Sequence, residues 1–255
     1  MIVRFMSTAC VTITLPTPKP FLMRALLLLH GALGAPAQLH QLAGAFSSRY
    51  AVHTPAFPGH AGQASEDLSM EACSRFIGDY IRQQRLEQPL VFGYSMGGYA
   101  ALHRAAQEPG LIGGIVTLAT KMHWTPEGAA REIRMLNPDV MEQKVPAFAE
   151  ALRTLHAPLN WKEVVHNTAG LMQRLGEKPL LDNTTFAALQ LPVLLLVGDR
   201  DNMVTLEETA AAARAIPGAQ LGVLPATPHP IDKMDNKLLA FLLERFFNQL
   251  PFNRS

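Results

Sequence analysis

The sequence has 255 residues, enough for one domain with a large core and at most a modest insertion. Hydrophobic residues make up 48% of it, charged residues 17%, and the net charge is +1 with acidic and basic residues interleaved. The lack of a basic patch argues against a nucleic-acid-binding protein. Cys10 and Cys73 have no close spacing, which predicts neither a disulfide framework nor a metal site and suits a reducing compartment.

One apolar segment, MRALLLLHGALGA, has an arginine before its apolar run, as an export signal does. The run from Ala25 to Leu29 is shorter than the apolar part of a signal peptide, and it lies well inside the sequence. It is also too short to span a membrane. We therefore interpret it as a buried strand and expect a cytoplasmic protein that does not bind membranes.

Apolar runs and helical patterns alternate along most of the chain. In order they predict a strand at 25–30, a helix at 36–47, a strand at 50–57, a helix at 69–86, a strand at 89–93, a helix at 97–107, strands at 113–120 and 192–199, a helix at 205–216, a strand at 219–225 and a helix at 234–250. Continuous apolar strands that alternate with helices are typical of a parallel sheet covered on both faces. The predicted fold class is therefore α/β, with a mostly parallel sheet.

One region, residues 122–188, interrupts this alternation because it contains helical patterns and no strand-like run. A capping residue followed by proline indicates helix starts there after Thr125 and after Asn137. We predict a small helical insertion at 122–188 in a core formed by 1–121 and 189–255.

A serine flanked by glycines, in the stretch VFGYSMGGY, follows a predicted strand and precedes a predicted helix. This G-x-S-x-G context is typical of a nucleophile elbow, a turn so sharp that Ser95 takes strained backbone angles. Gly93 and Gly97 remove the Cβ atoms that would collide. The turn presents the Ser95 hydroxyl above the carboxyl ends of the strands, and it places the Met96 N–H at a helix N-terminus, where it can face a developing anion. A glycine-rich turn with a bystander serine is the alternative.

With this motif the chain resembles the α/β-hydrolase family from its first predicted strand onwards. HGALG at 30–34 follows that strand, where the family carries its HG oxyanion motif. FPGHAGQ at 57–63 resembles the family's D-x-x-G-x-G turn, with Thr54 in place of the usual aspartate. The resemblance implies that the Ala32 N–H is the second oxyanion donor, with Leu33 as the alternative.

The base must be a neutral imidazole, because a serine hydroxyl is a poor nucleophile until its proton is removed. Of the nine histidines, His229 lies between the last predicted strand and the last predicted helix, where the family carries its base. His30 and His60 lie in the motif turns, where hydrogen bonding within the turn is the expected role.

The acid must be a carboxylate that holds the tautomer of the imidazole. The strand after the elbow ends in LAT, without a carboxylate, so the acid must come from the later loop VGDRD, which contains Asp199 and Asp201. The family's G-x-x-D spacing is matched by Gly198 and Asp201. The resemblance therefore favours Asp201 as the acid and Asp199 as a turn-forming residue, with Asp199 as the alternative acid.

A serine at the elbow favours acyl chemistry, since the haloalkane dehalogenases and most epoxide hydrolases of this fold carry aspartate there. We predict a carboxylesterase-like serine hydrolase that cleaves an ester or thioester of a small substrate through an acyl-enzyme, without cofactor or metal. Three alternatives use the same fold: cofactor-free haloperoxidases or perhydrolases, C–C bond hydrolases, and receptors that bind a ligand without turning it over.

The helical insertion is expected to cap the active site. Met122, His123 and Trp124 begin it at the carboxyl edge of the sheet, and Trp161 lies within it. We predict that Leu33 and Trp124 contact the substrate and that the substrate has an apolar acyl or aryl group. Packing of the insertion onto the core is the alternative role for the aromatic residues. The sequence does not distinguish a monomer from a homo-oligomer.

Overall fold

The computed structural model describes residues 23–251, so the interpretation of Cys10 falls outside the described residues. Six strands form one sheet in which every neighbouring pair is parallel, in the order β2-β1-β3-β4-β5-β6. The strands are β1 (Ala25–Leu29), β2 (Ala51–His53), β3 (Leu90–Tyr94), β4 (Gly114–Leu118), β5 (Val193–Gly198) and β6 (Gln220–Leu224). The predicted α/β class with a mostly parallel sheet is confirmed.

The described range contains ten α-helices, of which the last follows the final strand. They are α1 (His40–Phe46), α2 (Met70–Gln83), α3 (Met96–Gln107), α4 (Pro126–Ile133), α5 (Pro138–Lys144), α6 (Pro146–His156), α7 (Trp161–Glu177), α8 (Asn183–Ala187), α9 (Leu206–Ala215) and α10 (Asn236–Phe247). No helix between residues 23 and 251 is long and apolar enough to cross a membrane.

The sheet is buried because helices cover both of its faces. Every residue of β1, β3, β4 and β5 is buried. Alternate residues of a strand point to opposite faces, so Leu27 and Leu29 of β1 pack into the cluster that includes α2, α3 and α9, and Leu26 and Leu28 pack into the cluster that includes α1 and α10. The continuous apolar runs of the sequence are explained by this two-sided burial.

The helix starts follow from capping residues that the sequence displays. The Ser69 hydroxyl accepts the Ala72 N–H at the start of α2, and the side chains of Thr125 and Asn137 cap α4 and α5 in the same way. Thr205 forms a reciprocal capping box with Glu208 at the start of α9. The helix starts predicted at these positions are therefore confirmed.

The predicted helical segment lies between β4 and β5 as the five helices α4 to α8. It does not have one core of its own. Ala129 of α4 and Leu175 of α7 belong to the same apolar cluster as the sheet, and α8 packs on α3 and α9. A separate small cluster is confined to α5, α6 and the first part of α7, and it consists of Met141, Ala149, Leu152, Trp161 and Val165.

The edge strand β2 is shorter than the predicted strand at 50–57. It pairs with β1 only from Ala51 to His53. Beyond it the chain leaves the sheet, because the Phe57 N–H donates to Nε2 of His30, at 3.0 Å, and not to a strand carbonyl. Proline at position 55 also lacks the N–H that a longer ladder would need.

Candidate active site

Strained backbone is concentrated in the loops at the carboxyl ends of the strands. Seven non-glycine residues within 23–251 have positive φ, and five of them lie in these loops: Leu33, Ala61, Ser95, Ala119 and Ala226. Such conformations cost free energy and persist where the surrounding structure enforces them, often at functional sites. The strain therefore points to this edge of the sheet.

The turn at Ser95 has the geometry of a nucleophile elbow. Ser95 has φ +50° and ψ −114°, between the last residue of β3 and the first residue of α3. Its N–H donates to the Leu118 carbonyl at 2.8 Å, and its carbonyl accepts the Thr120 hydroxyl at 3.0 Å. The backbone of the turn is thus held by β4 and by the loop after it.

The glycines around the elbow permit contacts that any side chain would prevent. A Cβ on Gly93 would lie 2.4 Å from the Gly98 nitrogen, and one on Gly97 would lie 2.7 Å from the carbonyl oxygens of Leu29 and His30. A Cβ on Gly31 would lie 2.7 Å from the Tyr94 ring and 3.2 Å from Cβ of Ser95. The loop after β1 therefore packs directly against the elbow.

Asp201 and His229 form a buried, hydrogen-bonded pair. Nδ1 of His229 lies 2.8 Å from Oδ2 of Asp201 and 3.1 Å from Oδ1. The Asp201 side chain has 0% exposure and the His229 side chain 11%. Oδ1 of Asp201 also accepts the N–H groups of Met203 and Val204, each at 2.9 Å. A carboxylate facing Nδ1 fixes the proton on that nitrogen and leaves Nε2 free to accept one.

Two opposing effects set the ionisation of Asp201. Burial acts to raise the pKa of this carboxyl, but the hydrogen bond and charge of His229 and the two backbone N–H groups outweigh burial and lower the pKa below its ordinary value. Asp199 makes a different contact, because its Oδ1 accepts the Thr227 N–H at 3.2 Å and its side chain is 41% exposed. Of the two aspartates in VGDRD, only Asp201 is bonded to His229.

Two close approaches hold the loop of His229 against the other loops. The loop after β5, the acid loop, contains the predicted acid Asp201, and the loop after β6 contains His229. A Cβ on Gly198 would lie 2.0 Å from the Thr227 carbonyl oxygen, so glycine at this position lets the two loops touch. The Tyr94 hydroxyl donates to the His229 carbonyl at 3.0 Å, and the two rings lie 5.7 Å apart. Tyr94 precedes Ser95, so His229 is attached to the residue next to the serine.

Two backbone N–H groups at and near the elbow have no hydrogen-bond acceptor in the described part of the chain. Within the described residues, Ser95 makes hydrogen bonds through its backbone only, and the backbone N–H groups of Met96 and Ala32 donate to no protein acceptor. The carbonyl of Gly31 accepts the Gly34 N–H at 3.1 Å, which closes a tight turn around Ala32 and Leu33. Ala32 follows Gly31, which packs against Ser95, and free backbone N–H groups next to a reactive hydroxyl can bind an oxyanion.

The sequence matches the model of the Alpha/beta hydrolase family over residues 26–235. The chain belongs to this family. The resemblance drawn from the sequence motifs is thereby confirmed.

Sequence relatives agree with this assignment. A pimeloyl-[acyl-carrier protein] methyl ester esterase of Vibrio campbellii is 25% identical over 231 residues, covering 80% of this chain and 87% of the relative. A second esterase of the same name, from Aromatoleum aromaticum, is 32% identical over 107 residues, or 41% of each chain.

Solved structures share the fold. A thermophilic esterase from Thermogutta terrifontis superposes with a TM-score of 0.72 at 19% identity, covering 89% of this chain and 90% of that one. A carboxylesterase from Bacillus subtilis superposes with a TM-score of 0.69 at 16% identity, covering 89% and 85%. At these identities the similarity concerns the fold alone.

Three buried histidines lie beside the site in hydrogen-bonding roles. His30 donates from Nδ1 to the Gly31 carbonyl at 2.8 Å, and its Nε2 accepts the Phe57 N–H. His60 donates from Nδ1 to the Pro58 carbonyl at 3.1 Å. Burial, and then the proximity of His60, lower the pKa of His30 to about 3, and burial lowers the pKa of His60 to about 4. Both are neutral at neutral pH.

The third histidine, His156 of α6, connects the helical segment to two of the edge loops. Its Nδ1 accepts the Ala61 N–H at 3.0 Å, and its Nε2 donates to the Leu33 carbonyl at 3.2 Å. Burial lowers its pKa, which preserves the neutral form that this pair of bonds requires. The loop that contains Ala32 is therefore bound to α6.

The two residues predicted to contact substrate lie in different surroundings. Leu33 is half-buried next to the elbow and packs against the small cluster of α5, α6 and α7. Trp124 is 9% exposed and borders a cleft of about 600 Å³ between α4, α8 and α9. Ser95, Asp201 and His229 do not line this cleft. Trp161 belongs to the small cluster, so the two tryptophans do not share one pocket.

Four residues near the site escape prediction from the sequence: Tyr94, Thr120, Lys121 and His156. Three of them share one signal, their position, since Tyr94 ends a strand and Thr120 and Lys121 follow one at the carboxyl edge. Lys121 donates to the Met203 carbonyl at 3.2 Å in the loop that holds Asp201. Residue type alone does not distinguish these side chains from surface residues.

Proposed function

We propose that the protein hydrolyses carboxylic esters through an acyl-enzyme formed on Ser95. The observation that carries the proposal is the Asp201–His229 hydrogen bond of 2.8 Å, with His229 held by Tyr94, the residue before a serine at positive φ. Membership of the alpha/beta hydrolase family and the esterase names of the relatives support it.

In the first half of the reaction, the Ser95 hydroxyl gives its proton to Nε2 of His229 while its oxygen bonds to the ester carbon. The carbonyl electrons move to the oxygen, and Asp201 stabilises the imidazolium that forms. Collapse of the intermediate breaks the ester C–O bond, and the leaving alcohol takes the proton from His229. The acyl group remains on Ser95.

In the second half, a water molecule gives a proton to His229 as its oxygen attacks the acyl carbon. The new intermediate collapses, the Ser95 oxygen leaves and recovers the proton, and the carboxylic acid is released. Each oxyanion is held by the N–H groups of Met96 and Ala32, which are the unpaired donors next to the serine. In this proposal Asp201 stabilises the imidazolium and the two N–H groups stabilise the oxyanion, so the reaction needs no cofactor.

The helical segment at 122–188 serves in this proposal as a cap over the active site. Its contacts with the edge loops support that role, in particular the bonds from His156 to Leu33 and Ala61. Leu33 would contact the acyl group next to the reacting carbon. A role for Trp124 requires an acyl chain long enough to extend from Ser95 into the 600 Å³ cleft.

A second candidate substrate class is an acyl methyl ester carried on an acyl carrier protein. It is favoured by the names of the relatives, which act on a pimeloyl methyl ester attached to such a carrier. The carrier would bind outside the cap while the ester enters the site. Methyl esters offered free and attached to a carrier protein, compared by kcat/KM, separate the two classes.

The proposal is tested with p-nitrophenyl and methyl esters of varied acyl length, on the parent and on Ser95→Ala. We expect ester turnover by the parent and a loss of about 10³- to 10⁶-fold in Ser95→Ala with an unchanged circular dichroism spectrum. A fluorophosphonate probe should label the parent at Ser95. An unlabelled, inactive parent would favour a ligand-binding receptor, and peracid formation from acetate and peroxide in excess of ester cleavage would favour a perhydrolase.

A further inference from the structure

One peptide unit in the acid loop is bound at both ends. The Val204 N–H donates to Oδ1 of Asp201 at 2.9 Å, and the Met203 carbonyl accepts Nζ of Lys121 at 3.2 Å. These two groups belong to the same planar trans peptide, in which C=O and N–H point in opposite directions. Lys121 and Asp201 therefore hold opposite sides of one rigid group.

The ammonium of Lys121 also faces two carboxylates, at distances longer than a hydrogen bond. Nζ lies 3.6 Å from Oε1 of Glu132 on α4 and 3.8 Å from Oε2 of Glu208 on α9. The three side chains are almost completely buried. Oε1 of Glu208 accepts the Met122 N–H at 3.0 Å, which fixes that carboxylate in turn. Both carboxylates lie farther away than the Met203 carbonyl, so the shortest polar contact of the ammonium is with the acid loop.

We propose that Lys121 is a positioning residue for Asp201, an inference that rests on the proposed function. A cation bound to the peptide oxygen polarises the amide and makes its N–H a stronger donor to the carboxylate. The same bond fixes the peptide plane, so the N–H keeps its direction towards Oδ1. Lys121 thus acts through the Met203–Val204 peptide on Asp201, and through Asp201 on the imidazole of His229.

The arrangement also separates two functions within the lysine network. The ion pair of Lys121 with Glu132 joins the lysine to α4 of the helical segment. The hydrogen bond of Lys121 to the Met203 carbonyl joins the lysine to the peptide that binds Asp201. Loss of the ion pair with Glu132 should affect stability, and loss of the hydrogen bond to Met203 should affect turnover. Glu132→Gln is therefore a matched control for Lys121→Met.

The experiment measures kcat, KM and thermal midpoint for the parent, Lys121→Met, Lys121→Arg and Glu132→Gln. We expect Lys121→Met to lower kcat about 10- to 100-fold with little change in KM, because a small displacement of a positioned group has effects of that order. Lys121→Arg should recover most of this loss, since it keeps a cation near the carbonyl. Glu132→Gln should lower the thermal midpoint and leave kcat within about twofold.

A spectroscopic measurement makes the inference independent of turnover. The Nδ1 proton of His229, bonded to Asp201, should give a low-field proton NMR signal, which Lys121→Met should shift or broaden and Glu132→Gln should not. If Lys121→Met fails to fold, Lys121→Met with Glu132→Gln removes one negative charge along with the cation, and it is compared with Glu132→Gln alone.

Two outcomes would overturn the inference: unchanged kcat and NMR signal in a folded lysine variant, or an equal loss of kcat in Glu132→Gln. Failure of the proposed function looks different, because the parent itself would then neither cleave esters nor be labelled at Ser95. In that case the NMR signal still decides whether Lys121 positions Asp201.

Discussion

At the scale of single residues, the assignment of the acid depends on which aspartate bonds to Nδ1 of His229. The spacing in VGDRD predicts Asp201 as the acid, and the structure has Asp201 bonded to His229 while Asp199 accepts the Thr227 N–H. Spacing is informative here because both aspartates follow a strand whose end is fixed by the sheet. Contacts such as that of Tyr94 with the His229 carbonyl depend on loop packing, so no sequence pattern marks them.

Exchange of each aspartate for asparagine tests this assignment. In Asp201→Asn the side-chain oxygen can still accept the Met203 and Val204 N–H groups, but the amide nitrogen then faces Nδ1 of His229. Two N–H donors cannot hydrogen-bond to each other, so the imidazole takes the tautomer with its proton on Nε2. That nitrogen can then no longer accept the serine proton. We expect kcat/KM for an ester to fall by about 10⁴-fold, as in other serine triads.

The matched variant Asp199→Asn should behave differently. Its oxygen can still accept the Thr227 N–H, and the side chain is partly exposed, so kcat/KM should stay within about tenfold of the parent. A more severe loss in Asp199→Asn than in Asp201→Asn, with both proteins folded, would reverse the assignment of the acid.

At the scale of elements, the sequence predicts most strands and helices, and local signals explain why. The capping residues Ser69, Thr125 and Thr205 lie at the helix starts that they indicate. The short β2 is less predictable, because its end is decided by the bond from Phe57 to His30, which are distant in sequence. The core shared between the sheet and the helical segment likewise has no sequence signal, because it forms when α4 and α7 pack against residues that are distant in sequence.

Two glycine-to-alanine exchanges in helices should have opposite effects on stability. Gly97, in the first turn of α3, has backbone carbonyl oxygens 2.7 Å from an added Cβ, and neither can move without disturbing β1. We expect Gly97→Ala to lower the free energy of unfolding by more than about 1 kcal/mol and to reduce ester turnover. Gly44, in α1, has no atom within 4 Å of an added Cβ.

Gly44→Ala should therefore raise the free energy of unfolding by up to about 1 kcal/mol, because alanine is the better helix former. Urea denaturation of both variants, with kcat/KM measured alongside, checks the pair. Equal stability of Gly97→Ala and the parent would mean that the elbow does not need the close approach of α3 to β1.

At the scale of the whole molecule, the loops and the helical segment are joined through neutral histidines. His30 links the loops after β1 and β2, and His156 links both loops to α6. The ring of His60 lies between them, with centroids 5.3 Å from His30 and 5.7 Å from His156. Among the described residues no carboxylate forms an ion pair with any of these three rings. Protonation of one of them would therefore bury an unpaired charge, so the assembly should be sensitive to acid.

The direction of this sensitivity follows from the pKa values of His30 and His60, about 3 and about 4 in the folded protein. In the unfolded chain a histidine has a pKa of about 6.5. Between these values the unfolded state binds protons that the folded state does not, so stability is full above about 6.5 and falls as the pH is lowered towards the folded pKa values. Each such histidine should contribute a loss of about 1.4 kcal/mol per pH unit in that window.

His60→Asn tests this directly, because the asparagine amide can replace Nδ1 as donor to the Pro58 carbonyl but cannot be protonated. Urea denaturation at a series of pH values from about 7.5 to about 4.5 should show a smaller loss of stability in the variant, by about 1.4 kcal/mol per unit below about 6.5. Above that pH the difference between the two proteins should be constant, which separates the loss of packing from the loss of titration. Parallel curves over the whole range would mean that His60 is protonated as readily in the folded protein as in the unfolded chain, and that its burial among the loops does not govern the acid limit of stability.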